Sequence, residues 1–117
     1  QDRDVAEKAA LGNKARLMLR ETQRQVQANI QNLSTSLANG HERIASLNKM
    51  LLPAASQQVR LATGAYKAGT GSLASVFNAK RTQLDAQLQI VELERDVAQI
   101  WAQLEYQVLP QNSPLGQ

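Results

Sequence analysis

A short glycine-containing break between two long stretches of helix-forming sequence constrains this chain more than any other feature. The break runs from Ala65 to Ser72 and contains Gly69 and Gly71. The stretches before and after it are both rich in Ala, Leu, Gln, Arg and Glu. Because two long helices joined by so short a connection must run antiparallel, the sequence predicts an all-α fold, a long coiled-coil-like helical hairpin.

Composition limits the thickness of any core that this chain can build. Apolar residues make up 43% of the 117 residues but aromatic residues only 3%, so the apolar side chains are mainly Ala, Leu, Val and Ile. Such side chains suit thin seams between helices better than a globular core. The chain has no cysteine, and its net charge of +3 comes from scattered basic residues, which argues against nucleic-acid binding.

Apolar residues in the first arm recur at alternating spacings of four and three. The series is Val26, Ile30, Leu33, Leu37, then Gly40 in register, Ile44, Leu47, Leu51 and Ala54. This heptad pattern predicts a coiled-coil-like seam against a partner helix. Pro53 falls inside the pattern, and because proline removes a backbone hydrogen bond and clashes with the preceding turn, we expect a kink there.

The second arm carries two apolar series instead of one. Ser72 is predicted to cap the start of this helix, and Trp101 is expected to fill a seam near its far end. One series is Leu73, Phe77, Leu84, Leu88, Val91 and Ala98; the other is Ile90, Leu93, Val97, Ile100, Leu104 and Val108. Since a two-stranded coiled coil needs one stripe per helix, two stripes predict neighbours on two sides.

The predicted organisation is a first helix over residues 1–65, a tip turn over 66–72, a second helix over 73–109 and a loose tail over 110–117. At about 1.5 Å per residue the first helix is much longer than the second, so its start has no partner within the hairpin. We therefore expect the chain to self-associate or to belong to a bundle, as a segment of a larger protein.

Two motifs in the turn and the following helix suggest a family. Tyr66-Lys67-Ala68-Gly69 is followed, within Ser72 to Arg81, by a short polar and small stretch and then by Val76-Phe77-Asn78-Ala79, which opens a helix rich in Gln, Leu and Ala. This combination, between two heptad-bearing helices, resembles the repeat pattern of outer membrane factors, the TolC-like exit ducts of Gram-negative efflux pumps. Leu51-Leu52-Pro53-Ala54 and Trp101-Ala102-Gln103-Leu104-Glu105 are most similar to the heavy-metal, CzcC/CusC-type branch.

The resemblance covers nearly the whole chain, as the C-terminal portion of such a protein. It implies a homotrimer whose α-helical barrel extends from the outer membrane into the periplasm and narrows to a closed tip. Ser75 and Asn78 would line the gate region. A periplasmic adaptor protein would contact the residues of the tip, which are Tyr66, Lys67, Gly69 and Gly71.

The sequence departs from the family pattern at the gate. Where family members carry a basic residue and then two acidic residues, this chain has Gly71, Ser75 and Asn78. A carboxylate ring cannot form from these residues, so the resemblance does not extend to cation selectivity at that ring.

Two other classes of protein remain alternatives. One is the coiled-coil hairpin of a periplasmic adaptor or another helical scaffold, although adaptor hairpins have arms of similar length flanked by lipoyl-like β segments. The other is a four-helix-bundle enzyme or metal carrier, which would need inward Glu-x-x-His pairs that this sequence lacks. His41 and Glu42 point about 100° apart on a helix, and we expect no metal site, cofactor or catalytic residue.

Overall fold

The computed structural model describes residues 1–109 as an all-helical hairpin, which confirms the predicted fold class. The first arm consists of α1 (Asp2–Ser46), a π-helical turn (Leu47–Leu51) and α2 (Leu52–Lys67), and the second arm is α3 (Leu73–Val108). Because α3 packs against both α1 and α2, the two arms run antiparallel. The Cα atoms extend over 99 × 31 × 19 Å. The predicted tail, residues 110–117, lies outside the described residues.

The seam of the first arm follows the heptad pattern up to the π-helical turn. Half-buried residues recur there at spacings of three and four: Ile30, Leu33, Leu37, Gly40, Ile44 and Leu47. This part of the predicted seam is confirmed. Val26, its predicted first member, is 41% exposed because it lies near the point where α3 ends.

The π-helical turn shifts the seam by one residue. The Leu52 N–H donates to the carbonyl of Leu47, five residues earlier, and this wider bonding pattern takes up one more residue than an α-helical turn. Beyond the turn, Leu52 is half-buried and Ala55 is buried, whereas Leu51 and Ala54 are exposed. The heptad pattern was therefore wrong for Leu51 and Ala54.

Pro53 lies directly after this turn, at the start of α2. A proline has no N–H to donate to the carbonyl four residues earlier, that of Lys49. The helix is therefore irregular one turn before the proline, where the π-helical bonding occurs. The bend that we expect at Pro53 stays a prediction.

The second arm has one continuous buried seam. Its members also recur at spacings of three and four: Val76, Ala79, Gln83, Ala86, Ile90, Leu93, Val97, Ile100, Leu104 and Gln107. The predicted series from Ile90 to Leu104 forms the half of this seam that lies farther from the tip. Val108, the predicted end of that series, is 61% exposed, and Trp101, expected to fill a seam, is 55% exposed. Both side chains fall outside the face that contacts the first arm.

Gly40 allows α1 and α3 to approach each other closely. A Cβ atom at this position would lie only 2.5 Å from Cγ2 of Val97, which is buried. Because valine is branched at Cβ, its side chain cannot easily rotate away from such a contact. A glycine in the seam therefore accommodates a larger side chain from the opposite arm.

Replacing Gly40 by alanine should destabilise the hairpin. The gain in helix propensity of about 1 kcal/mol is outweighed by overpacking against Val97, which costs about 1–3 kcal/mol. Gly64→Ala is the matched control, because nothing lies within 4 Å of a Cβ there, and it should stabilise by about 1 kcal/mol. Urea unfolding measures both; equal stability of the two variants would contradict the close packing.

Deleting Lys49 in a Pro53→Ala background should be tolerated, because the π-helical turn holds one residue more than an α-helical turn and alanine fits the regular helix that results. The deletion converts the turn to regular helix and leaves the seam in register on both sides. Deleting Ala38 in the same background, in the regular part of α1, instead rotates Ile30, Leu33 and Leu37 by about 100° away from α3 and should cost their seam contacts. Thermal unfolding followed by circular dichroism compares them, and equal losses would contradict this role of the turn.

Candidate functional site

The tip of the hairpin is a Schellman motif at the end of α2. The Gly69 N–H donates to the Tyr66 carbonyl at 3.1 Å, and the Thr70 N–H donates to the Ala65 carbonyl at 2.9 Å. These are the two hydrogen bonds that define the motif, and they satisfy carbonyls left free where the helix ends. Gly69 has φ of +79°, a conformation that favours glycine.

The two glycines of the tip have different structural roles. Gly71 packs against the end of α2, where an added Cβ would lie 2.9 Å from the Ala65 Cβ and 3.2 Å from the backbone nitrogen of Tyr66. Its N–H also donates to the Ala65 carbonyl at 3.0 Å, as does the Thr70 hydroxyl at 3.2 Å. Gly69 therefore supplies the backbone conformation of the tip, and Gly71 supplies the close approach.

Ser72 caps α3, as the sequence predicted. Its hydroxyl oxygen accepts a hydrogen bond from the Ser75 N–H at 3.1 Å, and the hydroxyls of Ser72 and Ser75 are 2.9 Å apart. The cap satisfies one of the free N–H groups at the helix start. The chain reversal is thus held by local hydrogen bonds on both sides.

The structure places the predicted tip residues together at the end of the hairpin. Tyr66 and Lys67 belong to the last turn of α2, which ends two residues beyond the predicted boundary, and both are exposed. Gly69 and Gly71 follow them in the connection and are exposed as well. Contact of these residues with an adaptor protein stays a prediction.

The predicted gate residues lie on the first two turns of α3. Ser75 and Asn78 are exposed and, with Gln58 of α2, help to line a shallow polar depression between the arms. Nearby, the Gln83 amide donates to the Ser56 hydroxyl at 3.1 Å across the arms. An apolar heptad pattern does not predict this contact, because Gln83 occupies a seam position with a polar side chain.

A second apolar face runs along α3 and lies on its surface. We call it the α3 stripe; its large members are 46–64% exposed: Leu73, Phe77, Leu84, Leu88, Val91 and Trp101. Phe77, Leu84 and Val91 each follow a seam residue by one position, so this face is rotated by about 100° from the seam. The predicted series from Leu73 to Ala98 thus forms a separate face, which Trp101 extends, and the described part of the chain leaves this face uncovered.

The first part of α1 extends beyond the end of α3. We call residues 2–29 the α1 overhang, and every residue in it is exposed except Gly12, which is half-buried. Its residues Val5, Gly12, Leu19 and Val26 are spaced by seven and continue the heptad positions of Leu33, Gly40 and Leu47. The surface that packs on α3 farther along the arm therefore continues with no partner among residues 1–109.

Side chains that could bind a metal ion or catalyse a reaction do not cluster within residues 1–109. His41, Glu94 and Trp101 border an open groove beside the seam, with Val97 in its apolar floor. No group of three or more His, Cys, Asp or Glu side chains in this range is placed to hold a metal ion. None of the helices in the same range has an apolar segment long enough to cross a membrane.

Comparisons of the chain with protein families, with curated proteins and with solved structures find no match.

Replacing Gly69 by alanine should destabilise the hairpin by about 1–2 kcal/mol, because a side chain disfavours the left-handed conformation. Gly69→Asn is the matched control, since asparagine adopts this conformation more readily, and it should cost clearly less. The free energy of unfolding in urea measures both variants. If asparagine and alanine cost the same, the positive φ at the tip does not determine the turn.

Proposed function

We propose that this chain is a periplasmic hairpin of a TolC-like outer membrane efflux duct, in a tripartite pump of the resistance–nodulation–division type. Heavy-metal ions are the proposed cargo class, from the resemblance of Leu51 to Ala54 and Trp101 to Glu105 to that branch. The role is structural: the hairpin forms part of a conduit wall and carries no catalytic residue.

The observation that carries this proposal is the pair of apolar faces on α3. One face is buried against the first arm, and the other, the α3 stripe, is exposed. A helix in the wall of a duct has a neighbour on each side, so it needs two such faces. Exposed apolar surface of this extent is typical of a protein–protein contact.

The tip has the properties that docking to an adaptor protein would require. Its backbone is fixed by the Schellman motif and by the Ser72 cap, so its shape is set before any partner binds. Tyr66 and Lys67 are exposed beside it and offer an aromatic ring, a hydroxyl and a positive charge. Ser75 and Asn78 would line the gate with neutral polar groups.

In the full-length protein the proposal places three copies around one lumen in the periplasm. Other helices of the duct would cover the α1 overhang. The first arm spans residues 2–67 and the second residues 73–108, and this inequality favours a duct component over the hairpin of an adaptor, whose arms are of similar length.

Metal tolerance tests the proposal in the bacterium that carries the gene. Inactivating the gene should lower tolerance to one or more of zinc, cobalt, cadmium, copper or silver ions severalfold, and the wild-type gene should restore it. The variant Phe77→Asp/Leu84→Asp should reach the outer membrane fraction but fail to restore tolerance, because it places charges on the α3 stripe.

Leu61→Asp is the matched control, because Leu61 is 58% exposed on the first arm and lies off the α3 stripe. This variant should complement like the wild type. Unchanged tolerance after inactivation, or full complementation by the stripe variant, would contradict the proposed function.

A further inference from the structure

We propose that the 117-residue chain forms a two-fold symmetric, antiparallel dimer in which the α1 overhang of each copy covers the α3 stripe of the other. This inference goes beyond the proposed duct, where copies stand side by side in the same direction. In that parallel arrangement the overhang of one copy lies past the end of its neighbour's α3. When two copies overlap along their whole length, only an inverted copy brings an overhang and a stripe to the same level.

The two surfaces have matching lengths. Residues 2–29 and residues 73–101 are each about 42 Å long at about 1.5 Å per residue. When an inverted copy overlaps the first completely, each overhang lies beside the other copy's α3, and the dimer is about as long as the single chain, 99 Å. Both exposed faces of each copy are then covered at once. A two-fold axis requires this, because each copy makes the same contacts with the other.

The heptad positions of the two surfaces also correspond. Inversion makes the overhang run parallel to the second copy's α3. Each surface carries residues spaced by seven. When the two series are aligned in order, most pairs place a larger side chain opposite a smaller one. The pairs are Val5 with Phe77, Gly12 with Leu84, Leu19 with Val91 and Val26 with Ala98.

The pairing of Gly12 with Leu84 repeats a contact that the hairpin already makes. Within one chain, Gly40 of α1 accommodates Val97 of α3, with only 2.5 Å between a Cβ at Gly40 and the valine Cγ2. Gly12 occupies the same heptad position as Gly40, four repeats earlier, and no atom lies within 4 Å of a Cβ there. The overhang thus has a glycine, with open space before it, where a second α3 would bring a leucine.

Charge favours this direction over the reverse. In the overhang, residues 2–8 carry three acidic and two basic side chains, net −1, and residues 14–24 carry four basic and one acidic, net +3. In α3, residues 80–81 are both basic, net +2, and residues 85–96 carry four acidic and one basic, net −3. The parallel order places opposite charges side by side, whereas the reverse order places like charges together.

Disulfide trapping tests the arrangement directly, because the chain has no cysteine and engineered thiols have no competitors. Gly12→Cys and Leu84→Cys chains, one carrying a size tag, are mixed and oxidised. We expect a mixed disulfide dimer of about twice the 12.8 kDa of one chain. Gly12→Cys alone should give almost none, since the two copies of residue 12 lie near opposite ends of the dimer.

The matched control pairs Gly12→Cys with Leu61→Cys, which is equally accessible but off the stripe. Efficient mixed disulfides in this control, or none between positions 12 and 84, would overturn the arrangement. A chain that sediments as a monomer at all concentrations would also overturn it. Circular dichroism checks that each variant keeps its helices. Metal tolerance in the bacterium does not depend on this dimer, so either proposal can fail without the other.

Charge reversal tests the direction of pairing separately. Arg16→Glu/Arg20→Glu should weaken dimerisation about tenfold, because it opposes acidic residues to the acidic segment of α3. Combining it with Glu92→Arg/Glu94→Arg should restore affinity, and Lys49→Glu, which is exposed outside the α1 overhang and the α3 stripe, should have little effect. An unchanged dissociation constant for the first variant, measured by sedimentation, would contradict the proposed direction.

Discussion

The heptad seam between the two arms is the interaction on which the rest of the structure depends. It is continuous over ten positions of α3, but it is thin. The buried residues are Ala55, Val76, Ala79, Ala86, Ile90 and Val97, half of them alanines. Since hydrophobic stabilisation scales with the apolar area removed from water, at about 25 cal/mol per Å², such a seam stabilises far less than a globular core. The seam therefore leaves many large apolar side chains of the hairpin exposed.

The small side chains that limit this stabilisation also set the geometry. Ala55 in α2 and Ala79 and Ala86 in α3 keep the arms close together in the part nearest the tip, and Gly40 has the same effect farther along. Larger apolar side chains, such as Phe77 and Leu84, point away from the seam. In the part nearest the tip, the chain thus places small residues in the seam and large ones on a surface that the described part of the chain does not cover.

The short glycine-containing break between two helix-forming stretches predicted the all-helical hairpin, and heptad spacing predicted the first-arm seam from Ile30 to Leu47. It failed after the π-helical turn because hydropathy carries no sign of one extra residue in a helix, so Leu51 and Ala54 were chosen over Leu52 and Ala55. In α3 it predicted the seam only from Ile90 onwards. Between the tip and Ile90 the seam consists largely of alanine and glutamine, while the more apolar series that begins at Leu73 lies on the surface.

The position of the tip could be predicted from its glycines and its serine cap, but the hydrogen bonds that hold it could not. Ser72 was identified because a hydroxyl before a helix has one well-defined use. The convergence of three donors on the Ala65 carbonyl has no sequence signature. The roles of Tyr66 and Lys67 in docking come from a resemblance alone.

The α3 stripe links the two proposals, because the wall of a duct and an inverted second copy would compete for it.

Amide hydrogen exchange resolved along the chain, over a range of protein concentrations, tests most directly that the seam holds the hairpin and leaves the overhang without support. At low concentration, amides of residues 30–67 and 73–107 should be protected together, whereas those of residues 2–29 should exchange as in an isolated helix. Protection of residues 2–29 should then rise with concentration. If residues 2–29 were as protected as the seam at every concentration, or if the seam exchanged as fast as they do, the account would be wrong.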